Sequence, residues 1–221
     1  MKYVKERQLL VDYGKQMIGE KLTTGTGGNL SIYIREDNVM LITPSGIPYM
    51  DTVPEDIVLM TLDGEVLEGD RKPSSEYDMH CIFYKNTDNI NSVVHTHSEF
   101  ATVFACLQQD ILPLHYIIGS VGKKIRCCKY ETFGTKELAQ TVYDTIGEDK
   151  GLLLGNHGTI AVGEDLASAF SVAKDIEFIA KLYYRALSIG KPVLLDDEQL
   201  SEVVEKFGTY GQLRTYGQKN E

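Results

Sequence analysis

The chain has 221 residues, 43% of them hydrophobic, and a formal charge of −10. That length allows one sizeable core, and the acidic balance, with no dense Lys/Arg block, argues against a nucleic-acid or anionic-membrane surface. A phosphorylated substrate is compatible with the charge, because backbone N–H groups hold phosphate without net positive charge.

The N-terminal Met-Lys-Tyr-Val-Lys-Glu-Arg carries no apolar signal core, and no apolar run approaches membrane-spanning length. Cys81, Cys106, Cys127 and Cys128 make no C-x-x-C pair. A reduced cytoplasmic protein is therefore expected. No Pro/Gly/Ser linker, low-complexity tract or fixed-period repeat divides the chain, so residues 1–221 are read as a single domain.

Residues 3–18 predict an amphipathic helix, with Leu9, Leu10, Tyr13 and Met17 at spacings of three and four. Thr24-Gly25-Thr26-Gly27-Gly28-Asn29 follows. Three glycines in four positions imply positive φ or a close approach to the backbone, either for an anion or in a plain turn before the strand 30–34. A second short strand, 39–43, runs into Thr43-Pro44-Ser45-Gly46-Ile47-Pro48, a turn with a small hydroxyl beside a glycine. Segments 57–62 and 65–67 flank Asp63-Gly64, a two-residue hairpin signal.

Pro73-Ser74-Ser75 announces a helix start. The first free N–H groups of that helix, with the serine hydroxyls, form an anion site. Glu76 falls in its first turn, where dipole compensation competes with a chemical role. His80, four residues on, reads as structural.

Ser92-Val93-Val94-His95-Thr96-His97 reads as a strand. Residues i and i+2 share a face, so His95 and His97 project side by side, as two imidazoles gripping one metal must. Taken alone the pattern is equally two polar residues on a solvated face. The best candidate for a third ligand is His157, in the tight turn Gly155-Asn156-His157-Gly158 after Leu152-Leu153-Leu154. Three protein ligands leave one tetrahedral position open, the arrangement of a catalytic zinc.

Between these sites, 99–109 is a helix and Leu112-Pro113-Leu114-His115-Tyr116 is extended, with His115 and Tyr116 open to core or site roles. Residues 124–130 alternate enough for a strand, on which Cys127 and Cys128 face opposite ways and serve packing. Thr135 caps a helix ending at Gly147, and strands 152–154 and 159–162 flank the His157 turn. Asp165 caps the longest helix, stopped by Gly190 and Pro192. A short helix over 198–206 precedes an aromatic tail. The hairpins at Asp63-Gly64 and Asn156-His157 mean the sheet cannot be purely parallel. The expected fold is α/β, a three-layer α/β/α arrangement whose central mixed, largely antiparallel sheet is covered by helices on both faces.

In order, Gly-Gly-Asn at 27–29, Thr-Pro-Ser-Gly at 43–46, Pro-Ser-Ser-Glu at 73–76, His-Thr-His at 95–97, His-Tyr at 115–116, Thr-Phe-Gly-Thr at 132–135, Asn-His-Gly at 156–158 and Lys-Phe-Gly-Thr-Tyr-Gly at 206–211 resemble the class II aldolase/epimerase family. The resemblance covers nearly the whole chain. It implies one Zn2+ per subunit held by His95, His97 and His157, with Glu76 as acid/base and as a metal ligand when substrate is absent. It implies that Gly28, Asn29, Ser45, Gly46, Ser74 and Ser75 bind a phosphate. Tyr116 would act at the aldehyde oxygen from a neighbouring subunit of a homotetramer whose sites lie at subunit interfaces. Tyr210, in a tail over 207–221 near the active site, would help close each site.

The implied reaction is reversible cleavage of a ketose 1-phosphate, L-fuculose 1-phosphate, to dihydroxyacetone phosphate and L-lactaldehyde. Breaking C3–C4 leaves charge on an enediolate, and no Schiff-base lysine stands out, so a Lewis-acid metal suits the chemistry. The alternatives are another sugar-phosphate aldolase or a ribulose-5-phosphate 4-epimerase of the same family. In the epimerase branch Asp is typical at position 76, so glutamate there favours the aldolase. A non-enzymatic cytoskeletal head domain would lack the histidines, and a zinc hydrolase would leave the phosphate loops unexplained.

Overall fold

The structure is a computed structural model and describes residues 1–209. Helix α1 (Val4–Gly19) leads into β1 (Asn29–Ile34) and β2 (Val39–Ile42), then the hairpin β3 (Val58–Thr61) and β4 (Val66–Glu68). Helix α2 (Tyr77–Asn86), β5 (Ser92–Thr96) and α3 (Glu99–Leu107) carry the chain to a 3-10 turn at Tyr116–Ser120 and the two-residue β6 (Cys127–Cys128). Helix α4 (Lys136–Ile146), the hairpin β7 (Gly151–Leu154) and β8 (Gly158–Gly163), α5 (Leu166–Ile189) and α6 (Asp197–Thr209) complete it.

Among the described residues the strands form one sheet in the order β4-β3-β2-β1-β5-β8-β7-β6. Only the β6–β7 pairing is parallel; the others are antiparallel. Alternation across the pleat splits the core in two. Leu30, Leu41, Val94 and Ala161 pack with Leu10 and Met17 of α1, Phe104 of α3 and the stripe Ala169, Ala173 and Ile176 of α5. Met40, Ile42, Val93 and Ile160 pack on the other face against Met79 and Phe83 of α2 and Leu138 and Val142 of α4. This is the three-layer α/β/α fold expected. Burial on both faces explains why β2 and β7 read as unbroken apolar runs.

Two expectations shift. The segment 124–130 contributes only Cys127 and Cys128 to the sheet, and these two do face opposite cores. Helix α2 begins at Tyr77, and Glu76 is its cap residue at φ −101°, ψ 18°, outside the first turn. The residues before it are engaged elsewhere, since Pro73 bridges Pro44 and the Ser74 N–H donates to Thr43 O. That ties the 73–76 turn to the 43–46 turn instead of winding it into helix.

The segment after β5 is held from behind. The N–H groups of Phe100 and Ala101, unpaired by the helix itself, donate to the two carboxylate oxygens of Glu177 on α5 at 3.0 and 2.9 Å. Among the described residues no helix is long and apolar enough to cross a membrane.

Candidate active site

The site assembles at one end of the β1–β5–β8 ribbon. β1 pairs with β5 so that Asn29 lies opposite His95. β8 pairs with β5 on the other side, Thr96 opposite Thr159, which brings the 155–157 turn beside His97. Gly158 makes that approach feasible, since an added Cβ would strike Thr96 O. Three imidazoles far apart in sequence thus meet, with ring centroids 4.8, 4.8 and 5.1 Å apart and ligand atoms all within 4.8 Å of one another.

The fully buried His95 ring has Nδ1 2.8 Å from Thr159 O. A carbonyl only accepts, so Nδ1 carries the proton and Nε2 is turned toward the cluster. His97 Nε2 lies 3.0 Å from it. Glu76 closes the group, with Oε2 3.3 Å from His95 Nε2 and Oε1 3.4 Å from His157 Nε2. Oε2 also accepts from Asn29 Nδ2 at 2.9 Å. Oε1 is buried and, among the described residues, makes no hydrogen bond.

Burial works against charge on Glu76, but His95, His157 and the Asn29 amide outweigh it and hold the carboxyl well below the usual range. Burial likewise opposes charge on His95, and Glu76 overrides it, raising that imidazole. Desolvation, then the neighbouring histidines, push His97 down to about 3. Desolvation and His95 push His157 to about 4. Neutral His97 and His157 rings with free lone pairs, beside His95 and an ionised carboxylate, form a cation-binding set.

Above the cluster is a cavity of about 400 Å³, lined by Gly28, Asn29, Ser45, Gly46, Ser74, Ser75, Glu76, His97 and His157. Gly28 adopts φ +73°, its carbonyl accepts from Tyr49 at 2.7 Å, and its bare Cα lets the loop lie on the His95 carbonyl. The N–H of Ser45 is spent on Lys72 O and that of Ser74 on Thr43 O, which holds the two loops together.

Every described residue expected at the metal and phosphate positions lines this cavity or its floor. Tyr116 does not. It lies on a separate groove with Ile117, Asp175 and Val203, 54% exposed, its ring stacked on Phe207 at 6.3 Å. Tyr210 lies outside the described residues.

Tyr130, Glu131, Phe133 and Asn156 also line the cavity; Phe133 and Asn156 fall within the 132–135 and 156–158 motifs without a site role assigned to them, and Tyr130 and Glu131 belong to no motif. Beside Phe133, Gly134, with φ +71° and an approach to Ser75 O, seats the loop over the serine turn. His80, which reads as structural in the sequence, is fully buried and bonded to Asn29 Oδ1, and so connects to Glu76.

The donor set fits a divalent metal. No Lys or Arg lines the cavity among the described residues, whereas Glu76 and Glu131 do. An anionic substrate would meet only negative charge there without a cation. Two nitrogens each about 2.05 Å from a tetrahedral zinc stand about 3.3 Å apart, close to the His95–His97 separation.

Residues 8–184 match the family profile described as Class II Aldolase and Adducin N-terminal domain. A 5-deoxy-D-ribulose 1-phosphate aldolase of Bacillus thuringiensis serovar kurstaki is 48% identical over 208 residues, covering 94% of this chain and 98% of the relative. An L-fuculose phosphate aldolase of Escherichia coli K12 is 39% identical over 204 residues, covering 91% and 94%. A solved L-fuculose 1-phosphate aldolase superposes with a TM-score of 0.90 at 43% identity, covering 92% of this chain and 96% of that one.

Proposed function

This chain belongs to the class II aldolase and adducin family, whose aldolases are metal-dependent, and on that premise we propose that it cleaves a methyl-terminated ketose 1-phosphate to dihydroxyacetone phosphate and a short aldehyde, using zinc. The chain is an aldehyde-lyase acting on a sugar phosphate. Two substrates suit it. L-fuculose 1-phosphate, expected from the sequence, yields L-lactaldehyde; 5-deoxy-D-ribulose 1-phosphate, named for the 48% relative, yields acetaldehyde. Both share the phosphate half and a terminal methyl, and the higher identity favours the second.

The observation that carries this reading is Glu76 Oε1, a buried carboxylate oxygen with no hydrogen-bond partner among the described residues, beside three imidazoles under a hydroxyl-lined cavity. His95, His97 and His157 would hold zinc, with Glu76 as a fourth ligand when substrate is absent. Zinc, when bound, supplies positive charge against the negative charge that grows on oxygen as C3–C4 breaks.

Gly28, Asn29, Ser45, Gly46, Ser74 and Ser75 would line the phosphate cradle, which is remote from the broken bond. Its binding energy goes into orientation. Tyr116, from a neighbouring subunit of a homotetramer, would relay the proton of the C4 hydroxyl to solvent as the C4 carbonyl forms. Glu76, having taken up a proton from solvent, would deliver it to C3, completing dihydroxyacetone phosphate with no net change in protons, and would remove it in the reverse direction. Tyr210 would help close each site, and the enzyme would work in the cytoplasm.

The test is a coupled assay for dihydroxyacetone phosphate across a panel of ketose 1-phosphates, with ribulose 5-phosphate epimerisation run beside it. Release from the two methyl-terminated substrates is expected. Epimerisation without release from any ketose 1-phosphate overturns the reading.

A further inference from the structure

The buried His80 ring belongs to a chain of hydrogen bonds with one possible direction. A carboxylate only accepts, so Asn29 turns its NH2 to Glu76 Oε2 and its carbonyl oxygen to His80. That oxygen is 2.5 Å from His80 Nε2, which must therefore donate. Burial holds the ring neutral, so Nδ1 accepts, and its partner at 2.6 Å is the Ser31 hydroxyl. With its hydrogen given to His80, Ser31 Oγ accepts in turn from Tyr84 at 2.5 Å. The order is Tyr84, Ser31, His80, Asn29, Glu76, each member buried.

The chain distinguishes the two carboxylate oxygens of Glu76. The terminal torsion of a glutamate is broad and roughly two-fold, so an unrestrained carboxylate would present either oxygen. Here Oε2 is pinned and Oε1 is left without a hydrogen bond among the described residues. We infer that His80 is a positioning residue for proton transfer: its ring, locked by Ser31 and Tyr84, holds the Asn29 amide against Glu76 Oε2 and leaves Oε1 as the oxygen that exchanges the proton with substrate carbon. This rests on Glu76 being the acid/base. Without the Nε2–H donor the Asn29 amide still turns its NH2 to Glu76, but its oxygen loses the partner that holds the amide in place against Oε2.

The test compares His80→Leu, which removes the donor, with His80→Gln, whose amide nitrogen can replace it. His80→Leu is expected to lower kcat about 10²-fold, as misplaced groups do. KM, zinc per subunit and the affinity of the zinc-free protein for inorganic phosphate should hold, and His80→Gln should recover most of the loss. Adding His80→Leu to Glu76→Gln should cost nothing more, since both act through one carboxylate.

Parental kcat in His80→Leu, equal impairment in His80→Gln, a loss that tracks lost zinc, or additivity in the double variant each overturns the proposal. Full turnover in Glu76→Gln overturns the acid–base reading and this proposal with it; full turnover in His80→Leu beside an inactive Glu76→Gln overturns this proposal alone. Should His80→Leu not fold, Ser31→Ala takes its place, with a loss of about 10-fold in kcat expected from a weakened positioning bond and parental turnover as the overturning result.

Discussion

The Nε2 atoms of His95 and His97 face each other at 3.0 Å with their rings crossed at 76°. Two bare lone pairs would repel at that distance, so a proton or a cation must lie between them. Dialysis against a chelator should therefore abolish sugar-phosphate cleavage, and added zinc should restore it. Zinc at a hundredfold above its Kd should also stabilise the fold by about 2.7 kcal/mol, read as a rise in melting temperature. Full activity in protein shown by elemental analysis to hold no metal would refute the metal role.

Glu76→Gln keeps the size of the side chain and its capacity to accept from Asn29, but not its basicity. Turnover should fall by about 10²- to 10⁴-fold, the usual worth of a positioned acid/base, with zinc retained. Exchange of the C3 proton of dihydroxyacetone phosphate with solvent, followed by NMR, isolates the step; normal exchange in the variant would remove Glu76 from the proton transfer.

Gly28→Ala places a Cβ 2.5 Å from the His95 carbonyl at a residue with φ +73°. The left-handed backbone alone costs about 1–2 kcal/mol, and the clash adds to it. Urea unfolding should show a lower midpoint with an unchanged slope, together with weaker binding of inorganic phosphate. Parental stability would mean that the loop moves off the strand without cost.

Tyr116 lies outside the cavity of its own chain. Tyr116→Phe should slow cleavage more than it weakens phosphate binding. If the residue serves a neighbouring subunit, mixed oligomers of Tyr116→Phe and Glu76→Gln chains should regain activity, since about a quarter of the sites would then hold both native side chains. Assay of re-associated mixtures decides it, and no gain over the separate variants would place Tyr116 elsewhere.

His80 also governs a pH dependence. Burial pushes its folded pKa to about 3, below an ordinary 6.5. Between those values the unfolded chain binds a proton that the folded one refuses, so the contribution is full above pH 6.5 and is lost as pH falls. The metal-free parent should therefore lose stability on acidification more steeply than His80→Gln, by up to about 1.4 kcal/mol per pH unit between pH 6 and 4. Chemical unfolding at several pH values measures the difference; identical slopes would contradict it.

Much of the architecture is legible in local pattern. The i, i+2 spacing of His95 and His97, the Asp63-Gly64 turn, the caps at Thr135 and Asp165 and the stripe of α5 are set by neighbours a few residues away. The start of α2 departs from its local signal because Pro73 and Ser74 pair with the 43–46 turn, a long-range contact that competes with helix winding.

Residue types and their order were enough to indicate the fold, the family and the imidazole trio, because periodicity and motif spacing are properties of the chain itself. That Asn29 stands opposite His95, that its amide is taken by Glu76, and that His80 backs it from the core depended on which strands became neighbours. A hydrogen bond takes its direction from the partner it meets, and across a sheet pairing between distant segments that partner exists only once the chain has folded.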